Sequence, residues 1–308
     1  MSRHFFFASP GEDKASGNVE PPNSLFLSTQ PSADEVRACS QKKSDRTITS
    51  GQQVVDHGQL DVFGPAAVTL KGDAQAVGHG TAHLDGTENS VVCGRDQNSV
   101  GLADNATAFV RDSAKIDVAL DFSNVFARGR GDIHNHSKGT VTATDARDVY
   151  LRSGTAYVSG DAAVEPDHSR PGDPVAAYAK DRAIVATYTR SNEKNAPPLV
   201  ALKDKAMWLD YDNGKHTLKV TKADGTSRTL PAPEGSTLWI RDEHARKNHH
   251  QTASGDDVVV AIRTQKSNDG DIAPPAKLQG DALWIDIWPN DSSLFLNRAE
   301  DVHVQPKK

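Results

Sequence analysis

The residues best suited to metal chemistry lie in one short segment, which reads Asp132-Ile133-His134-Asn135-His136. In an extended strand, side chains two residues apart point to the same side. If Ile133 and Asn135 point inward, the carboxylate and the two imidazoles share the outer face. Zinc and copper accept these ligand types. The segment therefore predicts a candidate metal site at Asp132, His134 and His136, with a solvated polar face as the alternative.

Three of the four tryptophans recur at equivalent places in a long internal repeat. Residues 183–209 match residues 258–285, so that Trp208 corresponds to Trp284, and Trp239 lies in a third, shorter copy. Each tryptophan is flanked by alternating apolar residues, which places it on a strand. Stacked coils would align the three into an aromatic ladder, which would either fill a core or bind carbohydrate or a partner protein. Trp208, Trp239 and Trp284 are therefore candidate binding residues.

Common catalytic and cofactor-binding motifs are missing from the sequence. It contains no Gly-x-Ser-x-Gly elbow, no Walker phosphate loop and no Gly-x-Gly-x-x-Gly fingerprint after a strand. We therefore predict no cofactor and favour a protein without catalytic activity. The alternative is a hydrolase or lyase that acts on carbohydrate, or a metal-dependent hydrolase, with its site in residues 165–308.

An eight-residue repeat runs from Gly64 to about Asp161 and would position the candidate metal ligands. Each unit carries an apolar pair two residues apart, followed by a corner rich in Asp, Gly, Asn and Ser. A fixed short period is typical of repeat architectures, in which each unit buries its inner face against its neighbours. The sequence therefore predicts an all-β fold, a β-helix or β-solenoid, with two units per coil favoured over three. The clearest pairs are Val100/Leu102, Ala108/Val110, Ile116/Val118, Val125/Ala127, Val141/Ala143 and Val149/Leu151.

The residues beside these pairs indicate a narrow interior. The inward position two before the pair is usually small, as at Ala114 and Gly131. Cys93 also falls on an inward position in this phase, which predicts a buried thiol, while pairing with Cys39 stays open. An inward Asn135 would need backbone hydrogen-bond partners.

The repeat resembles short-repeat β-solenoids such as bactofilins and the ice-nucleation repeat proteins, over about a third of the chain. Asn89-Ser90-Val91 and Asn98-Ser99-Val100 also resemble head repeats of trimeric adhesins. The resemblance implies the fold class and assigns no functional residue. Ice or surface binding is a distant alternative, because Thr140, Thr142 and Thr144 line up only once.

The chain divides into three regions. Residues 1–50 are rich in Ser, Pro and charged residues, which predicts a flexible or loosely docked leader, or an end cap in which Phe5–Phe7 plug the solenoid. Residues 51–164 form the eight-residue-repeat solenoid. Residues 165–308 are β-rich and carry the duplication; we expect them to continue the solenoid in wider coils with long loops, with a separate domain as the alternative. Ala223-Asp224-Gly225 predicts a hairpin turn there.

Charge and hydropathy limit the classes of partner that the sequence predicts. The net charge is −6, with acids and bases scattered along the chain and no basic stripe beside aromatic residues, which argues against nucleic acid. No apolar run approaches the ~20 residues of a membrane span. The start does not resemble a secretory signal peptide, which predicts a cytoplasmic protein or export without a cleaved signal. We expect a scaffold or binding protein of a bacterial or phage assembly, with a protein partner or self-association, and carbohydrate as an alternative ligand.

Overall fold

The computed structural model describes Cys39 and residues 44–146, 148–167, 175–189, 197–241, 252–263, 276–289 and 293–298. The proposed plug at Phe5–Phe7 lies outside these residues. No helix among them is long and apolar enough to cross a membrane. The described chain forms 28 strands: β1 (Arg46–Ile48), β2 (Gln52–Val55), β3 (Gln59–Phe63), β4 (Ala67–Leu70), β5 (Gln75–His79), β6 (His83–Gly86), β7 (Val91–Gly94), β8 (Ser99–Leu102), β9 (Thr107–Asp112), β10 (Lys115–Ala119), β11 (Asn124–Gly129), β12 (Asp132–Asn135), β13 (Thr140–Thr144), β14 (Asp148–Leu151), β15 (Gly154–Ser159), β16 (Ala163–Pro166), β17 (Val175–Ala179), β18 (Ile184–Thr189), β19 (Leu199–Leu202), β20 (Met207–Asp212), β21 (Thr217–Lys222), β22 (Ser227–Pro231), β23 (Thr237–Ile240), β24 (Thr252–Ser254), β25 (Val258–Ile262), β26 (Lys277–Gln279), β27 (Leu283–Trp288) and β28 (Ser293–Arg298).

The chain winds between two parallel sheets, which we call sheet A and sheet B. The odd strands from β1 to β19 form the ten-stranded sheet A in sequence order. The even strands from β2 to β20 form sheet B, and the antiparallel hairpin β21–β22 extends it to twelve strands. Each coil supplies one strand to each sheet. The prediction of an all-β solenoid is confirmed.

The coils widen towards the C-terminus. In the first part of sheet A, Leu60 pairs with Ala76 in the next coil. Later, Ala156 pairs with Ala177, and Ala177 pairs with Val200, so that successive partners lie progressively further apart along the chain. The strands keep similar lengths, so the additional residues lie in the connections. Wider coils with longer loops, as predicted, follow the regular part.

Small and aliphatic side chains fill the narrow space between the two sheets. Val110, Val125 and Val141 point inward and are buried, as the repeat predicts. The position before each strand is small because the neighbouring coil lies very close. At Gly131, an added Cβ would lie 1.7 Å from the carbonyl oxygen of Ala114. Only glycine fits there, so this position supports the stacking of coils.

The predicted inward phase is wrong in β10. A bulge shifts the register between Ile116 and Ala119, so that Val118 pairs with Gly101 on the outward side. Ala119 is fully buried in its place. One residue interrupts the regular eight-residue period, and the bulge in β10 accommodates it.

The inward position predicted for Cys93 is also wrong. Val92 pairs with Ala76 in the interior, so Cys93 points outward from sheet A. Cys93 is nevertheless buried, because it forms a disulfide with Cys39. The Cys39 carbonyl also accepts a hydrogen bond of 2.6 Å from Arg95 Nη2. The disulfide and this bond attach Cys39 to the outside of sheet A.

The corners between strands hold residues with left-handed backbone. Glycine adopts this conformation without strain, and aspartate tolerates it better than most residues. In one column of corners, Glu88, Asp104 and Asp121 lie in successive coils. Each carboxylate accepts a hydrogen bond from the backbone N–H of the corner one coil earlier, at 2.8, 3.1 and 3.2 Å. The other column has positive φ in successive coils at Gly64, Gly80, Asp96, Asp112, Gly129, Asp145, Gly160, Asp181 and Asp204.

After β20 the duplicated sequence builds a second, smaller pair of sheets. Strands β23, β25, β27 and β28 form sheet C, and β24 and β26 form sheet D. In the first copy β18 and β20 are parallel and β21 returns antiparallel; in the second, β25, β27 and β28 repeat this arrangement. The two copies share one core, to which Ile184, Leu209, Val260 and Ile285 contribute. The predicted hairpin at Asp224 is confirmed between β21 and β22.

Arginines attach sheets C and D to the solenoid. Arg182 forms ion pairs with Asp161, Asp256 and Asp281, at 3.4, 3.2 and 3.0 Å. Arg298 donates hydrogen bonds to the carbonyl of Asp161 and, at 3.5 Å, to that of Asp145. Because Arg182 is largely buried, these contacts are better shielded from water than surface ion pairs.

Replacing Asp104 with alanine should lower the free energy of unfolding by about 1–3 kcal/mol, because alanine is strained at positive φ and cannot accept the hydrogen bond from Glu88. Asp104→Asn keeps an acceptor, tolerates the backbone and removes one charge from the acidic column. We expect it to match or exceed the wild type at low salt. Urea unfolding of both variants measures this, and equal losses for the two would contradict it.

Candidate functional site

The predicted metal ligands lie on one outward face, as expected. Ile133 is buried in β12, and Asp132, His134 and His136 point away from the interior on sheet B. Where the structure describes side chains, it groups no three His, Cys, Asp or Glu residues that could hold a metal ion. The metal-binding role of these residues stays a prediction.

Asn135 points inward and finds backbone partners. Its side chain is fully buried, and Nδ2 donates hydrogen bonds to the carbonyls of Ser137 and Ser153, at 3.1 and 3.0 Å. The two carbonyls belong to successive coils. The asparagine therefore joins coils from inside through its amide N–H groups, while its buried Oδ1 has no hydrogen-bond partner among the described residues.

The two histidines pack on a tyrosine of the next coil. The rings of His134 and His136 contact the Tyr150 ring edge-on, with centroids 6.2 and 5.8 Å apart. The Tyr150 hydroxyl donates a hydrogen bond of 2.6 Å to Asp167. Burial and this hydrogen bond raise the pKa of Tyr150, whereas burial and the neighbouring Arg152 lower the pKa of His136. At neutral pH both groups are therefore uncharged, which suits a packed polar surface.

Glu165 continues the same outward column but is covered. It pairs with Tyr150 across the strands and is 8% exposed, beneath Leu294 of β28. Burial raises its pKa well above the ordinary value, and the nearby Asp148 adds to the increase. A hydrogen bond from the Leu294 backbone opposes the shift only in part. This carboxyl is buried where sheet C packs on sheet B.

Glu165 should make stability depend on pH. Its folded-state pKa lies above the unfolded value near 4.5, so above that pH the folded chain holds a proton that the unfolded chain has lost. Stability therefore falls as pH rises from about 4.5 through the folded-state pKa. Glu165→Gln should remove this loss and unfold at a higher Tm than the wild type at pH 8, but not at pH 4. Thermal melts across this range test it, with the exposed Glu234→Gln as control; parallel profiles for Glu165→Gln and wild type would contradict it.

The three tryptophans do not form a single ladder, so that expectation is wrong. Trp208 pairs with Val185 and packs against the solenoid core. Trp284 and Trp239 lie on either side of Val259 in sheet C and pack in a separate cluster. Trp208 and Trp284 occupy comparable places, because each lies on the second strand of a parallel pair opposite a valine, Val185 and Val259. Their role as binding residues stays a prediction.

Trp284 should be the most costly of the three to remove. It is 5% exposed, so Trp284→Ala should lower the free energy of unfolding by about 3–5 kcal/mol. Trp239 is only partly buried, and Trp239→Ala should cost less. Chemical unfolding of the two variants measures the difference. A Trp284→Ala protein as stable as the wild type would show that this ring does not fill a core.

The sequence interpretation missed an aromatic column on the outer face of sheet A. Strand pairing places five outward residues in consecutive coils. The first two rings stack with centroids 5.1 Å apart and the last two with centroids 4.9 Å apart. We call this set the aromatic column: Phe109, Phe126, Thr142, Tyr157 and Tyr178.

A row of basic side chains runs beside the aromatic column. Arg111 pairs with Arg128 in the next coil, and the row continues through Thr144 and Ser159. Within the described strands from β7 to β19, sheet A carries one acid, Asp112 at the end of β9, which forms an ion pair with Arg111 at 3.7 Å, although the chain is acidic overall. We call this row the basic column: Arg95, Arg111, Arg128, Lys180 and Lys203.

The fold therefore assembles a basic stripe beside aromatic residues that the linear sequence does not display. The only sequence signal is the spacing. Phe109 and Phe126 are as far apart as Arg111 and Arg128, one coil in each case. Writing the sequence in rows of one coil would have aligned these four residues.

The chain matches no protein-family model, no curated protein and no solved structure. The fold itself defines the class, an all-β parallel solenoid. The resemblance to bactofilins and ice-nucleation repeats stays a prediction.

Proposed function

We propose that the protein is a non-enzymatic β-solenoid that binds an acidic polysaccharide along the outer face of sheet A. The observation that carries the proposal is the basic column, which runs along a sheet whose strands from β7 to β19 carry a single acid, Asp112, in a chain with net charge −6. Such a local reversal of charge attracts an anionic ligand to one side of the molecule. The length of the face suits an extended polymer.

The chemistry of this face favours a polysaccharide over a nucleic acid. Two uncharged rows, at Thr144 and Ser159, interrupt the basic column between Arg128 and Lys180. Within each stacked pair the rings cover one another, so successive bases could not stack on them. Outward hydroxyls at Thr107, Thr140 and Thr155 suit the hydroxyl groups of sugars.

The disulfide supports a location outside the reducing cytoplasm. Disulfides such as Cys39–Cys93 persist mainly in oxidising compartments. Of the two locations that the sequence leaves open, export without a cleaved signal therefore agrees better with the bond. An exported solenoid that binds polysaccharide could also serve as part of a larger bacterial or phage assembly, or bind a protein partner.

Removing two charges from the basic column should weaken binding of acidic polysaccharides. Arg111→Gln combined with Arg128→Gln should reduce affinity for polygalacturonate, alginate or hyaluronate by about tenfold at low salt, since each arginine contributes a charge-assisted contact. The slope of log affinity against log salt should also become shallower, because fewer counterions are released. Calorimetric titration at several salt concentrations measures both quantities.

The matched control removes the same charge elsewhere. Lys219→Gln with Arg228→Gln neutralises two exposed residues on β21 and β22, away from sheet A. This control should bind as the wild type does. If both double variants lost affinity equally, overall charge would explain binding and the proposed face would be wrong.

A further inference from the structure

A guanidinium is fixed between two tryptophans on the face of sheet C that points away from sheet B. The Arg263 carbon Cζ lies 5.6 Å from the ring centroid of Trp284 and 5.2 Å from that of Trp288. Arg263 Nε forms an ion pair with Asp286 Oδ2 at 2.7 Å, and Trp288 Nε1 donates a hydrogen bond of 2.6 Å to the same oxygen. Side chains of β27 therefore hold this arginine in one orientation. We call Arg263, Asp286, Trp288 and Phe295 the Arg263 cluster.

Strand pairing explains why these side chains meet. The backbone N–H of Arg263 donates a hydrogen bond of 3.0 Å to the Ile287 carbonyl, which extends the ladder between β25 and β27 by one residue. Asp286 pairs with Phe295 of β28, so that both side chains lie on the same face. Sheet D packs on the part of this face around Trp284. Phe295 is 48% exposed, so the end of the face beside it is open to solvent.

The contacts of Arg263 leave hydrogen-bond donors for another group. Its closest contact is to Asp286 Oδ2, whereas Asp286 Oδ1 is buried without a hydrogen-bond partner among the described residues. The terminal nitrogens of Arg263, Nη1 and Nη2, form no hydrogen bond to any residue that the structure describes. The Arg263 side chain is 14% exposed. The cluster thus presents a positioned guanidinium whose two outer nitrogens are unused.

We infer that the Arg263 cluster binds a uronate, a sugar ring that carries a carboxylate, at a site separate from the face of sheet A. Nη1 and Nη2 present donors side by side, which matches the two oxygens of a carboxylate. Asp286 already shares the positive charge of Arg263, so a doubly charged phosphate is repelled more strongly than a singly charged carboxylate. A ligand with one negative charge is therefore favoured.

The neighbours of the guanidinium favour a sugar over a simple carboxylic acid. Phe295 and Trp288 contact edge-on with ring centroids 5.7 Å apart, so apolar surface lies beside Arg263. The C–H face of a pyranose packs on such an exposed ring. A ligand hydroxyl next to the carboxylate would donate to Asp286 Oδ1 and satisfy this buried acceptor.

NMR of the indole N–H groups detects binding at this cluster directly, because the chain has four tryptophans. Galacturonate added to the ¹⁵N-labelled full chain should shift the Trp288 signal, which Trp288→Phe assigns. The Trp208 signal should stay unchanged, because Trp208 packs on the solenoid core. Galactose, which lacks the carboxylate, should shift neither signal at the same concentration.

Variants of the cluster test which groups hold the ligand. Arg263→Gln should weaken galacturonate binding about tenfold or more, since it removes the charge-assisted contact. Because this change leaves Asp286 buried without its cation, Arg263→Gln combined with Asp286→Asn is the second variant, should the first not fold. Phe295→Ala should weaken binding about threefold. The matched control, Phe122→Ala, removes an exposed phenylalanine between β10 and β11 and should bind as the wild type does.

The outcomes separate this site from the face of sheet A. Wild-type affinity of the Arg263→Gln/Asp286→Asn protein would overturn the site, and so would a Trp288 signal that galacturonate does not shift. Tighter binding of galactose 6-sulfate or of benzoate would overturn the ligand class, because the first replaces the carboxylate and the second lacks hydroxyls. Arg111→Gln with Arg128→Gln should leave the Trp288 shift intact, so that failure of the sheet A face and failure of this site give different results.

Discussion

Each coil is bound to the next by parallel backbone hydrogen bonds, and the spacing of those bonds determines the rest of the structure. Side chains one coil apart must stand about 4.8 Å from each other, inside and outside. Inside, the two sheets can approach only if small residues such as Ala114 and Gly131 line the narrow edges. The interior therefore limits which residue types can occur there. On the exterior, a residue type that recurs once per coil forms a continuous column.

The same constraint accounts for much of the negative charge. Tight corners need left-handed backbone, which glycine and aspartate provide at lower cost than other residues. Corner carboxylates such as those of Asp104 and Asp121 then accept backbone hydrogen bonds from the preceding coil. Acids concentrated at corners serve the fold and do not by themselves indicate a cation site. Net charge is consequently a poor guide to the ligand of this protein, because the corners carry acids while Arg111 and Arg128 occupy outward strand positions of sheet A.

The inward half of the fold could be predicted because it depends on a local rule. Alternation of side chains and the short period place Val125 and Val141 in the interior without knowledge of any partner. The rule fails where two apolar residues are adjacent, as at Val92 and Cys93, or where a bulge inserts a residue, as at Val118. There, only the register with the neighbouring coil decides which side chain points inward.

The candidate site could not be predicted in the same way, because outward columns depend on register over long distances. Tyr157 and Tyr178 stack although the connection between their strands is longer than in the regular coils, so the eight-residue period does not align them. The predicted tryptophan ladder failed for the related reason that Trp208 and Trp284 fill the insides of separate sheet pairs. Equivalent positions in a duplicated sequence become neighbours only when the two copies stack, and here the copies face each other instead.

The two outer faces of the solenoid have different uses, and the duplication explains the difference. Ile184 and Leu209 of sheet B are covered by sheet C, and Glu165 is buried at the same junction. This packing removes the C-terminal part of one outer face from the solvent. Sheet A receives no such cover among the described residues beyond the attachment at Cys39. Its columns of aromatic and basic residues are therefore a long, regular outward surface among the described residues.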